Sequence, residues 1–144
     1  LHKLNVYVSA DVFGESVNKY ITAYGQYWPA ISNVVDVISG MPYPDHFSKN
    51  SYGIPKPWEN PYALMYNWGK IASERQKEVP TPAIARTWIL AQNTMQGYKY
   101  NSDEVFAQIK ALKDANLSGG YMTWSSSGSL QGYKNRNNAY IKEY

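Results

Sequence analysis

The chain has 144 residues, a formal net charge of +3 and no cysteine. That length supports one domain with a hydrophobic core, and the lack of cysteine excludes a disulfide framework and thiolate metal sites. No Lys/Arg cluster interleaves with aromatics as a nucleic-acid groove requires, no signal peptide is evident, and no apolar run is long enough to span a bilayer.

Taken in chain order, the first apolar run, Leu4 to Val8, reads as a buried strand. Val17 to Tyr24 suits a short helix, and Tyr27-Trp28 with Pro29 reads as a loop. A second strand covers Val34 to Met41. Asn60-Pro61 opens a helix, with Pro61 at the first helical position, where its missing N–H costs nothing. Leu64, Trp68 and Ile71 supply its buried face, and Pro80 and Pro82 end it. The third strand is Ala85 to Ala91. The clearest helix follows, Asn101 to Ala115. Asn101 is the N-cap with Glu104 three residues on, Asp103 and Glu104 suit the positive end of the helix dipole, and Val105, Ile109 and Leu112 form one apolar stripe. Gly119 to Trp124 is the fourth strand. The Ser-, Gly- and Asn-rich tail beyond it reads as a loop and a short terminal helix.

Runs that are apolar throughout suit strands covered on both faces, as in parallel sheets, and strands alternating with helices read as a right-handed βαβ series. The expected fold is α/β of the (β/α) barrel type, with about four βα units over residues 1–144. Eight such units make a barrel of about 250 residues, so this chain reads as half of one. Half a barrel leaves parallel edges open. The missing half, or a second copy of the chain, is the expected cover.

In such a barrel the working groups sit at the C-terminal ends of the strands. Asp11, just after the first strand, is the leading carboxylate. The competing reading is a loop-capping aspartate that bonds the backbone near Phe13 or Gly14. Asp45 and His46 follow the second strand, and Glu15 lies a turn beyond Asp11. Asp36 opens the second strand at the opposite end and reads as structural, while Glu74, Glu78, Asp103, Glu104 and Asp114 fall on helices as solvated charges. Glycosidic hydrolysis takes two carboxyl groups flanking the bond, and Asp11 with Asp45 or Glu15 is the available pair. The two histidines, His2 and His46, lack metal-ligand spacing, so no metal is expected. Fourteen Tyr and five Trp against three Phe mean that most rings carry a polar edge. Such rings suit sugar faces and their hydroxyls, and equally suit gaps between helices.

These segments also carry a resemblance. Ser9-Ala10-Asp11-Val12-Phe13-Gly14 resembles the SxDvFG motif of a bacterial glycoside-hydrolase-like domain family once catalogued as a domain of unknown function. In the same order, Gly25-Gln26 is similar to its GQ. Val35-Asp36-Val37-Ile38-Ser39 with Met41, Tyr43-Pro44 and His46 is similar to its VDyISPMxYPSHY, and Asn60-Pro61-Tyr62 to its PY. Arg86 with Trp88 is similar to its RPW, Gln108-Ile109 to its QI, and Gly120 to Trp124 to its GWxxW. The chain departs at Gly40, Asp45, Phe47 and Thr87, where the family has proline, serine, tyrosine and proline, and the glutamine after RPW is displaced to Gln92.

The resemblance implies a TIM-type barrel of the glycoside hydrolase superfamily, with this chain as its C-terminal half. It implies a secreted or cell-envelope bacterial protein whose partner is a polysaccharide or oligosaccharide, with no cofactor. Asp11 and Asp45 are then the catalytic candidates, and Tyr43, His46, Arg86, Trp88 and Trp124 line the sugar cleft. A non-catalytic carbohydrate-binding or structural module of the cell envelope is the alternative, favoured by the shortage of strand-end carboxylates.

Overall fold

The computed structural model describes residues 1–20, 23–117, 119–128 and 130–141. Its strands are β1 (Ser9–Phe13), β2 (Val37–Met41), β3 (Ile84–Ala85), β4 (Thr87–Leu90) and β5 (Tyr121–Trp124). Its α-helices are α1 (Trp28–Ser32), α2 (Pro61–Lys77), α3 (Ser102–Asp114) and α4 (Leu130–Lys134). Every strand pairing is parallel. β1, β2 and β3 form one sheet in that order, and β4 pairs with β5 in a second. β3 and β4 are one extended segment that changes partner at Arg86. The Arg86 N–H still donates to the Ile38 carbonyl at 3.0 Å, whereas the Thr87 N–H donates to Gly120 at 3.3 Å. The architecture is α/β with parallel strands, and the sheet is not closed: β1 and β5 are edges among the described residues.

Strand faces follow the two-residue period. Val12, Ile38 and Ile89 are buried in the core with Trp68 and Ala72 of α2 and with Val105 and Ile109 of α3. Gly40 shares that face, and a Cβ there would stand 2.6 Å from the Trp68 ring and 3.2 Å from the Trp28 ring. A proline is not what this position excludes; any side chain would meet the two indoles, which pack edge to face at 5.8 Å. Asp11, Ser39, Met41, Arg86, Trp88 and Leu90 point to the opposite face by the same alternation.

The helices form where their caps and stripes lie. α3 has the expected capping box, with the Asn101 N–H donating to Glu104 at 2.8 Å. α2 starts at Pro61, buries Leu64, Met65, Trp68 and Ala72, and leaves Ile71 partly buried. Gly69 of α2 lets the two helices approach, since a Cβ there would lie 2.8 Å from that of Ala115. Gln76 joins α1 to β3: its carboxamide oxygen accepts from Trp28 Nε1 at 2.9 Å and Ser32 Oγ at 2.7 Å, and its nitrogen donates to the Ala83 carbonyl.

Two expectations are corrected. The first strand is Ser9–Phe13, and residues 2–4 form a 3-10 turn instead. Leu4, Val6 and Tyr7 are exposed, so that apolar run has nothing to pack on. Trp28–Ser32 is helical where a loop is expected. Pro29 sits in its first turn, where proline is tolerated, and Trp28 is fully buried. The Val17–Tyr24 segment is described only in part, since residues 21–22 lie outside the described residues. Its start belongs to a 3-10 turn, Gly14–Val17.

Candidate functional site

β1 is where the site begins. With the strand at Ser9–Phe13, Asp11 lies within it and not beyond it, exposed on the face away from the helices. Its Oδ1 accepts a hydrogen bond from Trp88 Nε1 of β4 at 3.0 Å. This bridge spans the intervening strand, where Ser39, the register partner of Asp11, is fully buried. The bond goes to a tertiary partner, not to the backbone near Phe13 or Gly14 that the loop-capping reading requires.

Tyr43 sits just past the C-terminal end of β2. It is 6% exposed and packs with Leu90 and Tyr100, with Met41 and Trp88 against them. Its ring meets the His46 ring edge on at 5.2 Å and lies 6.5 Å from Trp124 at a 32° tilt. Burial, and then the negative charges of Asp11 and Asp45, push the Tyr43 phenol up to about 12. The phenol therefore stays a neutral donor through ordinary pH. Trp124, at the end of β5, is 44% exposed and presents a ring to solvent beside it.

Asp45 lies in the 3-10 turn Pro44–His46, and its side chain is 1% exposed. Oδ2 accepts from the Met95 N–H at 3.1 Å, while Gln96 Nε2 donates to the Asp45 carbonyl at 2.9 Å. Oδ1 has no donor, and His46 Nε2 stands 3.9 Å from it, too far for a hydrogen bond. Glu15 is exposed and accepts a short hydrogen bond from the Tyr24 hydroxyl.

The fold thus brings Asp11, Tyr43, Asp45, His46, Trp88 and Trp124 to one region at the C-terminal ends of the strands. Arg86 is not brought there. It shares the face of Trp88 but lies one step toward the N-terminal ends, exposed in a cavity of about 900 Å³ with His2, Tyr7 and Asp36. Asp36 is structural, accepting from the Val8 N–H at 2.7 Å and pairing with His2 at 2.8 Å. Among the described residues no group of three or more His, Cys, Asp or Glu could hold a metal ion.

Reading the residues alone missed Tyr100, which is fully buried with a hydroxyl lacking a partner, and whose ionisation is pushed up by burial and then by Asp45. Its signal was positional: it precedes the N-cap Asn101, with Val105 at the position that a hydrophobic staple uses. Gln26 and Gln108 are strand caps. Gln26 accepts from the Phe13 N–H at 2.7 Å on the edge strand, and Gln108 bonds the backbone of Leu90. Gln92 accepts from the Ser126 N–H and hydroxyl at 2.6 and 2.9 Å, pinning the loop after β5.

Open parallel strands backed by helices make this an α/β fold. The chain belongs to the family described as "Putative glycosyl hydrolase domain", whose model matches residues 1–129. It is also similar to the structure of the PgaB (BpsB) glycoside hydrolase domain from Bordetella bronchiseptica. The TM-score is 0.63 at 13% sequence identity, covering 96% of this chain and 37% of that one. At that identity the likeness is one of fold. A search of curated proteins gave no match.

Proposed function

We propose that this chain forms the C-terminal half of a (β/α)8 glycoside hydrolase barrel, its open face being the barrel interior and the site a carbohydrate cleft. The observation that carries this reading is the Trp88–Asp11 bridge at 3.0 Å, which fixes an exposed carboxylate on the open face beside Tyr43 and Trp124. A carboxylate so placed serves as nucleophile or base, with the indole holding its orientation. Trp124 gives a stacking platform, Tyr43 and His46 supply the polar contacts, and Trp88, whose one N–H is held by Asp11, offers ring surface. Arg86 would contribute from deeper in the same face. The missing half of the barrel, or a second copy, would cover the open edges. Polysaccharide or oligosaccharide as substrate, and a secreted or cell-envelope location in a bacterium, belong to the same reading.

The chain alone lacks part of the site under this reading, so the test is release of reducing ends from a panel of polysaccharides by the chain supplied with the rest of the barrel, and by its Asp11→Asn variant, each with circular dichroism. Loss of hydrolysis by at least about a hundredfold with the fold kept is the expected result. Full activity in Asp11→Asn would remove Asp11 from catalysis. The burial of Asp45 favours a second reading, a non-catalytic carbohydrate-binding or structural module, because it leaves Asp11 without an open partner carboxylate in the turn after β2. Glycan binding without hydrolysis, even with the rest of the barrel supplied, would select it.

A further inference from the structure

We infer that the cavity beside Phe13, at the C-terminal end of β1, is a second sugar-ring subsite, so that the cleft holds at least two consecutive rings of one chain. This rests on the carbohydrate reading above and deepens it. The cavity is about 380 Å³ and its wall includes Phe13, Glu15, Tyr24, Asp45, His46 and Met95. It is separate from the Asp11 platform yet continuous with it through β1. Asp11 and Phe13 are two residues apart on one strand face, a step of about 7 Å, comparable to the width of a pyranose ring.

The chemistry of the lining selects the ligand. Phe13 is 48% exposed, and its ring lies 4.6 Å from that of Tyr24, giving an apolar surface for a sugar face. Around it stand acceptors without enough donors. Asp45 Oδ1 is buried and has no hydrogen-bond partner. Glu15, exposed on the same wall, accepts from the Tyr24 hydroxyl and keeps further acceptor capacity. A buried acceptor left unpaired costs about 1–3 kcal/mol, so a ligand that brings hydroxyl donors relieves it. A polyhydroxylated ring does so. His46, whose side chain is 54% exposed and 3.9 Å from Oδ1, is the group that turns aside to admit the hydroxyl.

The experiment is a side-chain NMR titration of the chain with cellohexaose, maltohexaose, xylohexaose and chitohexaose. The indole N–H signals of Trp88 and Trp124 report the first platform, and the ring signals of Phe13 and His46 report the cavity. For a hexaose that binds, both sets are expected to shift at the same ligand concentration. Phe13→Ala and Glu15→Gln are each expected to weaken its binding by about tenfold, while circular dichroism stays that of the parent. Should Phe13→Ala fail to fold, Glu15→Gln at an exposed carboxylate carries the test. Shifts confined to the indoles, or variants that bind as the parent does, would overturn the subsite and leave the carbohydrate cleft standing. No shift in either set with any of the four sugars would overturn both.

Discussion

Gln108 closes both backbone valences of Leu90: its carboxamide oxygen accepts the Leu90 N–H at 2.9 Å and its nitrogen donates to the Leu90 carbonyl at 2.9 Å. Gln108 and Leu90 are 0% and 1% exposed, so water cannot substitute. The side chain thus does at the end of β4 what a neighbouring strand does elsewhere in a sheet. Gln108→Ala is expected to leave two buried backbone groups unpaired and open a cavity. The expected loss of stability is about 2–4 kcal/mol, read from the urea midpoint. A midpoint unchanged from the parent would show that the clip is dispensable.

Gly40→Ala tests the contact between β2 and the two buried indoles. The added methyl would stand 2.6 Å from Trp68 and 3.2 Å from Trp28, both fully buried. Overpacking of this kind is expected to destabilise by about 1–3 kcal/mol and to shift tryptophan fluorescence. An unchanged thermal midpoint would mean that the indoles yield at no cost.

Tyr43 reports the charge of Asp11. Its phenol is held up at about 12, mainly by burial and then by Asp11 and Asp45. The unfolded phenol ionises near 10.0, so this group's contribution to stability is intact below that pH and lost as pH rises toward about 12. In Asp11→Asn one of the two negative charges is gone. The Tyr43 titration, followed by phenolate absorbance, is expected to fall while remaining above 10 because burial is unchanged. No movement would place Asp11 too far away to matter to the phenol.

Asp36 ties the start of β1 to β2. The Val8 N–H, and then His2, hold its carboxyl below the ordinary 3.8. A depressed acid stabilises the fold above its unfolded value and loses that contribution as pH falls through the folded one. Asp36→Asn is therefore expected to melt below the parent at neutral pH, with the gap closing under acid below about 3.8. A gap independent of pH would show that shape, and not charge, is what the position supplies.

How far the sequence could be read depends on which side of a strand carries the pattern. β2 and the β3–β4 segment are apolar or small on both faces, so they stand out as runs; so does α3, where stripe and capping box coincide. β1 does not. Ser9, Asp11 and Phe13 face the open side and only Val12 is fully buried, whereas the more apolar Leu4–Val8 lies before the strand in the open. α1 was hidden because five residues containing a proline leave no period to detect. Within the site, Asp11 could be picked as a carboxylate near a strand end, and Tyr43 and Trp88 through the motifs that resemble the family's. The bond between Asp11 and Trp88 could not, since 77 residues separate them and only the pairing of β1, β2 and β3 brings them together. Asp45 looked as open as Asp11. Its burial comes from the 94–96 loop that folds over it, and no local signal announces that contact.

The carboxamide of Gln26 already occupies the Phe13 N–H on the outer edge of β1. A strand arriving at that edge must evict it, exchanging one hydrogen bond for another of the same kind. At this position recognition thus draws almost no net gain from the backbone, and its driving force has to come from burying apolar side chains. The edge acts as a reversible stopper: it discourages indiscriminate strand-to-strand stacking and yields only to a partner that buries apolar surface as it pairs.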